Sequence, residues 1–299
     1  MSHVKGLGLP YMGSKRKLAS RIIDKIIEDN PKVKHFYDLF GGGGSMSFEA
    51  LQRSEFKTVT YNEFNTGVVE LLKKIKNDGI DKDFYTWIDR ETFHKYKTKE
   101  CWKGGLIKVC WSFGNDQTSY LFSEQNELLK KPLHNIVVND KGYKKFKKIT
   151  GLKIPKSLFD PNKTINQRRL EIMKFVKAER GRTDLQQLER LQQLEQLQQL
   201  ERLQQLELSN ESFENVLIVT KKKKTIIYLD PPYKGTRKYE KDINHDKLKE
   251  FIHKSKYKIY VSGYNNDYDL KEIASFDHRS LMSAQKSPKA VVERLFTNE

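Results

Sequence analysis

The segment Asp230-Pro231-Pro232-Tyr233 combines residue types suited to chemistry on an aromatic amine. It directly follows an apolar run at residues 226–229, which predicts a buried strand. Because two prolines cannot extend a strand and lack N–H donors, they fix a rigid turn with free carbonyl oxygens. The carboxylate and a proline carbonyl can accept hydrogen bonds from the two N–H groups of an aromatic amine, while the tyrosine ring stacks on its aromatic ring. An ordinary strand-terminating turn is the alternative.

A second candidate segment is Asp38-Leu39-Phe40-Gly41-Gly42-Gly43-Gly44-Ser45, which predicts a glycine turn between a strand and a helix. Glycines here let the backbone approach a ligand closely, and a helix N-terminus favours polar or anionic groups. The segment fits G-x-G-x-x-G too poorly to favour a dinucleotide. Glu63, at the end of the next predicted strand, can accept hydrogen bonds from both ribose hydroxyls of an adenosyl cofactor. A solvent-exposed carboxylate is the alternative interpretation of Glu63.

The N-terminal segment Tyr11-Met12-Gly13-Ser14-Lys15, together with Gly8, superficially suggests a phosphate-binding loop. That motif requires lysine followed by serine or threonine, whereas here serine precedes lysine and no strand pattern precedes the loop. The segment therefore does not indicate a nucleoside triphosphatase.

Alternating helix and strand patterns position these segments. Helical periodicity at residues 18–30 is followed by strand and helix patterns up to about residue 80, and strand patterns resume near residue 213. The predicted strands have the sequences HFYDLF, KTVTYNEFN, TIIYLD, KIYVSGY and KAVVERLFTNE. This alternation predicts an α/β fold with a parallel sheet, in which a carboxylate after a strand lies at the rim where ligands bind.

The stretch 81–211 lacks this alternation, and we interpret it as an insertion between the core segments 1–80 and 212–299. Within it, residues 185–208 form the tandem copies LQQLER, LQQLEQ, LQQLER and LQQLEL. The residues favour helix, yet a leucine at every third position winds around a helix and leaves no single stripe. We expect a locally packed helix, with a solenoid-like β arrangement as the alternative, and interpret the repeat as a duplicated spacer without chemistry.

The formal net charge of +17 indicates a polyanionic partner, with nucleic acid as the first candidate. A lysine-rich composition inherited from an AT-rich genome is the alternative origin of this charge. Two cysteines without a CxxC pair supply neither a four-ligand zinc site nor a disulfide scaffold. No apolar stretch is long enough for a membrane span and the N-terminus lacks a signal-peptide pattern, so we expect a cytoplasmic protein.

In their order, the three segments resemble the Dam-type family of N6-adenine DNA methyltransferases, the α group, over about residues 9–80 and 213–299. Tyr11 to Lys15 match a YxGxK-like motif, Phe40 to Gly44 satisfy FxGxG, and DPPY follows after a gap that leaves room for target recognition. The closing ERLFTN, Glu293 to Asn298, also resembles the late strand motif of that family. The lysine- and asparagine-rich composition and the duplication fit a phage or mobile element of an AT-rich bacterium.

The resemblance implies a Rossmann-like, S-adenosylmethionine-dependent methyltransferase core with a mostly helical inserted target-recognition domain. It assigns cofactor binding to Tyr11, Gly13, Lys15, Asp38, Phe40, Gly41, Gly43, Glu63 and Asp230. It assigns catalysis to Asp230, Pro231, Pro232 and Tyr233. Glu63 departs from the family, which more often has aspartate at this position. Aspartate in place of serine before the two prolines favours adenine N6 over cytosine N4.

The implied reaction is direct methyl transfer to adenine in double-stranded DNA, with the adenine flipped out of the duplex and no metal needed. A cognate restriction endonuclease is a further candidate partner. We expect the insertion to read DNA through Asn115 and through the basic pair Arg168 and Arg169. The segment Trp111–Asn115 can equally be a packed aromatic core, and Lys221–Lys224 is interpreted first as a solvated turn.

Three other functions stay open on the sequence alone. They are an N4-cytosine or RNA methyltransferase, a nucleic-acid-binding module with an inactive methyltransferase core, and a nicotinamide-linked oxidoreductase. The intact Asp230-Pro231-Pro232-Tyr233 argues against an inactive core. An oxidoreductase would need a better dinucleotide loop and would leave the +17 charge unexplained.

Overall fold

The computed structural model describes residues 3–4, 6–181, 184–233, 243–279 and 290–299. The helices in these ranges are α1 (Ala19–Asp29), α2 (Ser45–Leu51), α3 (Thr66–Asn77), α4 (Arg90–Tyr96), α5 (Trp102–Cys110), α6 (Glu124–Asn139), α7 (Tyr143–Thr150), α8 (Ile165–Arg180), α9 (Gln186–Gln198) and α10 (His245–Lys254). The strands are β1 (His35–Asp38), β2 (Thr58–Asn62), β3 (Leu206–Ser209), β4 (Thr225–Leu229), β5 (Lys258–Gly263), β6 (Lys271–Arg279) and β7 (Ala290–Thr297). Among the described residues, no helix combines the length and the apolar character needed to cross a bilayer.

The seven strands form one sheet in the order β3-β2-β1-β4-β5-β7-β6. Strands β3, β2, β1, β4 and β5 run parallel to one another, and β4 is buried along its whole length, as expected for a strand covered on both faces. Strand β7 pairs antiparallel with β5, and β6 pairs antiparallel with β7. The α/β class and the parallel pairing of the central strands are therefore confirmed, and the sheet adds an antiparallel edge made of β7 and β6.

The predicted strands HFYDLF, KTVTYNEFN, TIIYLD and KIYVSGY correspond to β1, β2, β4 and β5, and KAVVERLFTNE to β7. Lys289, which opens the last of these segments, lies outside the described residues. The helix predicted after the N-terminal loop is α1, and its isoleucines at 22, 23 and 26 are buried. Strands β3 and β6 were not predicted.

Two compact units divide the chain. The sheet unit consists of residues 1–8, 13–69 and 200–299, and the helical unit of residues 9–12 and 70–199. The sequence placed 206–209 in the insertion, but in the structure these residues pair with β2 in the sheet. The division inferred from composition therefore differs from the one that backbone pairing produces.

The helical unit is built around an aromatic cluster. Trp87 packs edge-on against Trp111, with ring centroids 5.0 Å apart, and stacks on Phe122 at 5.6 Å. His134 completes the cluster, and burial lowers the pKa of its ring to about 4, against the opposing effect of its hydrogen bond to the Tyr85 carbonyl. Trp111 and Ser112 are fully buried, so this part of the segment 111–115 belongs to the packed core. The interpretation of the segment as a packed aromatic core is confirmed for these residues.

The leucine repeat contributes to the core of the helical unit through α9. Its buried leucines are Leu188, Leu191, Leu194 and Leu197. Arg190 is buried as well, and its guanidinium donates to the carbonyls of Cys110 and Ser112, where α5 ends, at 3.2 and 2.7 Å. The expectation of a locally packed helix is confirmed for this part. Because α9 carries core residues and caps another helix, this part of the repeat has a structural role that the spacer interpretation did not assign to it.

The end of the repeat belongs to the sheet unit. The last copy supplies Leu206, which is buried in β3, and Glu207, whose carboxylate accepts a hydrogen bond from Thr60 on β2 at 2.7 Å. Arg202, the equivalent of Arg190 in the third copy, donates to the carbonyls of Leu51, Arg53 and Phe56 near the end of α2. Each arginine of the repeat thus satisfies backbone oxygens that the end of a helix leaves without partners.

Candidate functional site

A buried lysine holds the carboxylate that follows β4. Lys15 Nζ donates to Asp230 Oδ1 at 2.9 Å and to the Tyr233 hydroxyl at 2.9 Å. The same ammonium lies 3.4 Å from Glu293 Oε1, on β7. The side chains of Lys15 and Glu293 are only 6% and 1% exposed, so water screens these charges little. The site therefore joins the N-terminal loop, the turn at residues 230–233 and strand β7.

Burial and ion pairing act in opposite directions on these groups. Burial raises the pKa of Asp230 above its ordinary value, while the charge of Lys15 opposes that shift. Burial likewise raises the pKa of Glu293 to about 7. Burial alone would lower the pKa of Lys15, but the charges of Asp230 and Glu293 outweigh it and keep that pKa well above its ordinary value. Lys15 therefore stays cationic at neutral pH and shares its charge between two carboxyl groups.

The ring of Tyr233 is oriented from one face and from its hydroxyl end. It packs against Tyr264, with ring centroids 4.6 Å apart and an interplanar angle of 31°. The hydroxyl accepts from Lys15 and donates toward both oxygens of Glu293 at 3.5 Å. Burial raises the pKa of this hydroxyl well above its ordinary value, so it stays protonated at neutral pH. A base that stacks on Tyr233 must use the face opposite Tyr264.

The glycine turn after β1 is closely packed against β2. A side chain at Gly41 would overlap the ring of Tyr61, and the Tyr61 hydroxyl donates to the Gly42 carbonyl at 2.8 Å. Gly44, where α2 begins, has a φ of +73°, a conformation that favours glycine. Gly43 is buried between these positions. The turn therefore requires glycine for two separate reasons, close approach and backbone conformation.

Glu63 lies beside this turn, directly after β2. Its Oε2 accepts the Gly42 N–H at 2.8 Å and its Oε1 accepts the Asn65 N–H at 2.9 Å, which fixes the orientation of the carboxylate. The next residue, Phe64, is 51% exposed. Asn210 donates to the carbonyls of Glu63 and Phe64 at 2.7 and 3.1 Å and so holds the backbone of both. The sheet unit thus presents a fixed acid and an exposed aromatic ring side by side.

Asp38 is a buried acid with an unused acceptor. Its Oδ2 accepts a hydrogen bond from Ser47 at 2.7 Å, whereas its Oδ1 is buried and has no hydrogen-bond partner among the described residues. Ser14 Oγ is in the same situation. Burial raises the pKa of Asp38 to about 7. Since buried polar atoms are nearly always paired, this acceptor suits a ligand with a cationic amine, and the donor set as a whole fits S-adenosylmethionine.

The other residues predicted to bind the cofactor have the following places. Phe40 is half-buried and packs against Phe213, with ring centroids 5.6 Å apart. Gly13 is exposed with a φ of +73°, two residues before Lys15. Pro231 is buried and Pro232 half-buried in the turn after β4. Tyr11 belongs to the helical unit, and its role at the cofactor site stays a prediction.

The residues predicted to read DNA all lie in the helical unit. Arg168 is 9% exposed, with its guanidinium 4.5 Å from the centroid of the Phe159 ring. Arg169 is 8% exposed and donates to Asn166 Oδ1. Both arginines therefore have packing roles on α8, and DNA contact by either stays a prediction. Asn115 follows Gly114 in a turn where both residues have a positive φ.

Sequence reasoning missed two residues of this site. Glu293 was noticed only as part of ERLFTN, and Tyr264 only as part of a strand. An acidic residue among apolar neighbours in a predicted strand was the available signal for Glu293, because a carboxylate is seldom buried without a partner. The pairing of Tyr264 with Tyr233 had no local signal, since it arises from the adjacency of β4 and β5.

Comparison with known families agrees with the chemistry of this site. The model of the D12 class N6 adenine-specific DNA methyltransferases matches residues 11–102 and 175–287, more than half of the chain. No curated protein sequence matches this chain significantly. The matched segments contain Lys15, the glycine turn, Glu63 and the turn that begins at Asp230, and methyltransferases of this kind generally use S-adenosylmethionine. The chain belongs to the D12 class N6 adenine-specific DNA methyltransferase family.

Proposed function

We propose that this protein methylates N6 of adenine in double-stranded DNA, with S-adenosylmethionine as the methyl donor. The observation that carries the proposal is the turn after β4, where Lys15 holds the Asp230 carboxylate beside the Tyr233 ring. An exocyclic amine offers two N–H donors at the edge of a flat ring, and this turn offers acceptors and an aromatic surface. The family match to adenine-specific enzymes supports the same base.

In the proposed mechanism, Asp230 orients the amine. Its Oδ1 already accepts from Lys15, so Oδ2 and a proline carbonyl of the turn receive the two N6 hydrogens. The charge of Lys15 favours the ionised form of Asp230, which is the form that can only accept. Once the N6 nitrogen has received a methyl group it would be cationic, and Asp230 would take one of its protons and pass it to water. The rate gain comes mainly from holding the amine in line with the methyl group.

S-adenosylmethionine supplies a methyl group on a cationic sulfur that is a good leaving group. Residues of the sheet unit would hold it at both ends. The Asp38 Oδ1 would accept from its amine, and Glu63 would accept from its ribose hydroxyls. The exposed ring of Phe64 would stack on its adenine. The glycine turn lets the backbone approach it closely.

We further propose that the adenine is flipped out of the duplex, since the target atom is otherwise hidden in the base stack. The helical unit supports this through the turn at residues 113–115. Phe113 is 64% exposed there, and an exposed ring can stack on bases that have lost a neighbour. Asn115 has an amide suited to an adenine edge. The net charge of +17 would attract the phosphate backbone.

The proposal is tested by incubating the purified protein with native DNA and S-adenosylmethionine and reading modified bases by single-molecule sequencing. We expect N6-methyladenine within one short motif, which would also reveal the recognition sequence. Asp230→Ala should abolish methylation while leaving nonspecific DNA binding largely intact, because nonspecific affinity comes from cationic side chains that contact phosphates and a carboxylate does not supply it. Full activity of that variant, or N4-methylcytosine as the product, would refute the proposal.

A further inference from the structure

We infer that Glu293 is a positioning residue for methyl transfer, which holds Lys15 and Tyr233 and through them fixes the place of Asp230. The inference rests on the proposed function above. Glu293 lies on β7, outside both segments matched by the family model, and its side chain is 1% exposed. Since a charged group is costly to bury, such a carboxylate requires a partner charge, which Lys15 supplies.

The contacts of Lys15 show how the effect of Glu293 reaches the reacting group. An ammonium has three hydrogens, and Lys15 has three oxygen partners: Asp230 Oδ1, the Tyr233 hydroxyl and Glu293 Oε1. The Tyr233 hydroxyl accepts from Lys15 and directs its own hydrogen toward Glu293. Glu293 therefore closes a ring of polar contacts around the ammonium. Without it, Lys15 would be drawn to Asp230 alone and Tyr233 would lose its acceptor.

The sheet explains why Glu293 can act as a fixed support. Strand β7 pairs with β5 through Arg294 and Gly263, so Glu293 lies level with Tyr264, just beyond the end of β5. On its other side β7 pairs with β6, where Glu293 is opposite Phe276. A side chain on a strand with partners on both sides is held more firmly than one on a loop. The turn at residues 230–233 and Lys15 lie outside helices and strands, and Glu293 supports both from a strand of the sheet.

Protonation of Glu293 should alter this arrangement within an accessible pH range. The groups that face it are Lys15, Asp230, Tyr233, Tyr228 and Tyr264. Burial raises the pKa of Glu293 to about 7, against the charge of Lys15. Above that pH the ionised Glu293 attracts the ammonium, which then lies between the two carboxylates. We therefore expect kcat to rise with pH through the neutral range.

The experiment compares the wild-type protein with Glu293→Gln, which keeps the shape and one acceptor but removes the charge. With saturating S-adenosylmethionine, kcat, the KM for DNA and the melting temperature are measured across neutral pH. We expect kcat to fall about 10²-fold, the loss typical of a small misplacement of reacting groups. The KM for DNA and the melting temperature should change little. The rise of kcat near neutral pH should disappear, and Glu293→Asp should retain it.

The matched control is Glu49→Gln, which removes another buried carboxylate of the sheet unit. Glu49 lies on α2, is 3% exposed and pairs with Arg53 and His3, so the kcat and pH profile of this variant should stay at wild-type values. Wild-type kcat and pH profile in Glu293→Gln would overturn the inference. So would a lower melting temperature with normal kcat per folded molecule, which indicates a purely structural role. A wild-type protein that does not methylate adenine would overturn the proposed function itself.

Discussion

Deleting the repeat unit Leu191–Gln196 should destabilise the protein, although the repeat invites the view that one copy is expendable. Because the copies are nearly identical, residues 197–204 can replace 191–198 and keep α9 at full length. The link from α9 to β3, which is residues 199–205 in the structure, would then shrink to a single residue. Arg202 would move to the exposed place of Gln196. The protein would lose either the β3 pairing or the last turns of α9.

The smaller of these two losses sets the expected magnitude. Losing β3 and the Arg202 contacts removes the burial of Leu206, about 2 kcal/mol, and three hydrogen bonds of about 1 kcal/mol each. Losing the end of α9 removes two buried leucines at roughly 2–5 kcal/mol each. We therefore expect a loss of about 4–5 kcal/mol or more, against a typical total stability of about 5–15 kcal/mol.

Thermal unfolding followed by circular dichroism measures this effect. A loss of about 5 kcal/mol corresponds to a melting temperature lower by roughly 10–20 °C for units of this size. The control is Gln196→Ala. Gln196 is an exposed residue of the same copy, so this variant should melt at the temperature of the wild type. A deletion variant that melts within about 2 °C of the wild type and methylates DNA normally would refute the reasoning and restore the spacer interpretation.

Two other predictions concern pH and the helical unit. The pKa of Asp38 is about 7 in the folded protein against an ordinary value of 3.8, so its stabilising contribution is complete below about pH 4 and is lost as the pH rises through 7. The unfolding free energy should therefore fall over this window, and Asp38→Asn should flatten the dependence in pH-resolved denaturant titrations; an unchanged slope would contradict the shift. Phe113→Ala should weaken methylation and specific DNA binding, measured by fluorescence anisotropy, without lowering the melting temperature, because the ring is 64% exposed. Unchanged kcat/KM would show that Phe113 does not contact DNA.

The sequence predicted those parts of the fold whose signal is local. Strands such as β4 are buried along their whole length and appear as continuous apolar runs. Glu63 and Asp230, the acids that follow β2 and β4, were identified from that position. Strand β3 was missed because its residues lie in a repeat of strong helix formers. Strand β6 was missed because a bulge between Glu272 and Ala274 interrupts the alternation of its side chains.

The candidate site was predicted less completely, because its closest contacts join residues that are far apart in the chain. Nothing near Lys15 indicates that Glu293 lies 3.4 Å away, since this contact depends on the antiparallel entry of β7 into the sheet. A charge pattern in the sequence also does not tell whether the charged side chains point to solvent or into the protein. Arg168 and Arg169 were predicted to read DNA as a basic pair, but the sequence did not indicate that both side chains are buried, one against a ring and the other against an amide.

The hexapeptide LQQLER occurs twice in this chain and folds in two ways. At residues 185–190 it starts a helix, whereas at 197–202 it ends that helix and leads into the turn before β3. The same six residues thus enter two kinds of secondary structure, so their surroundings decide their conformation. The repeat can supply β3 because an edge strand has a backbone partner on one side only. Edge positions of this sheet are therefore where related chains can gain or exchange strands with the least change to the central strands.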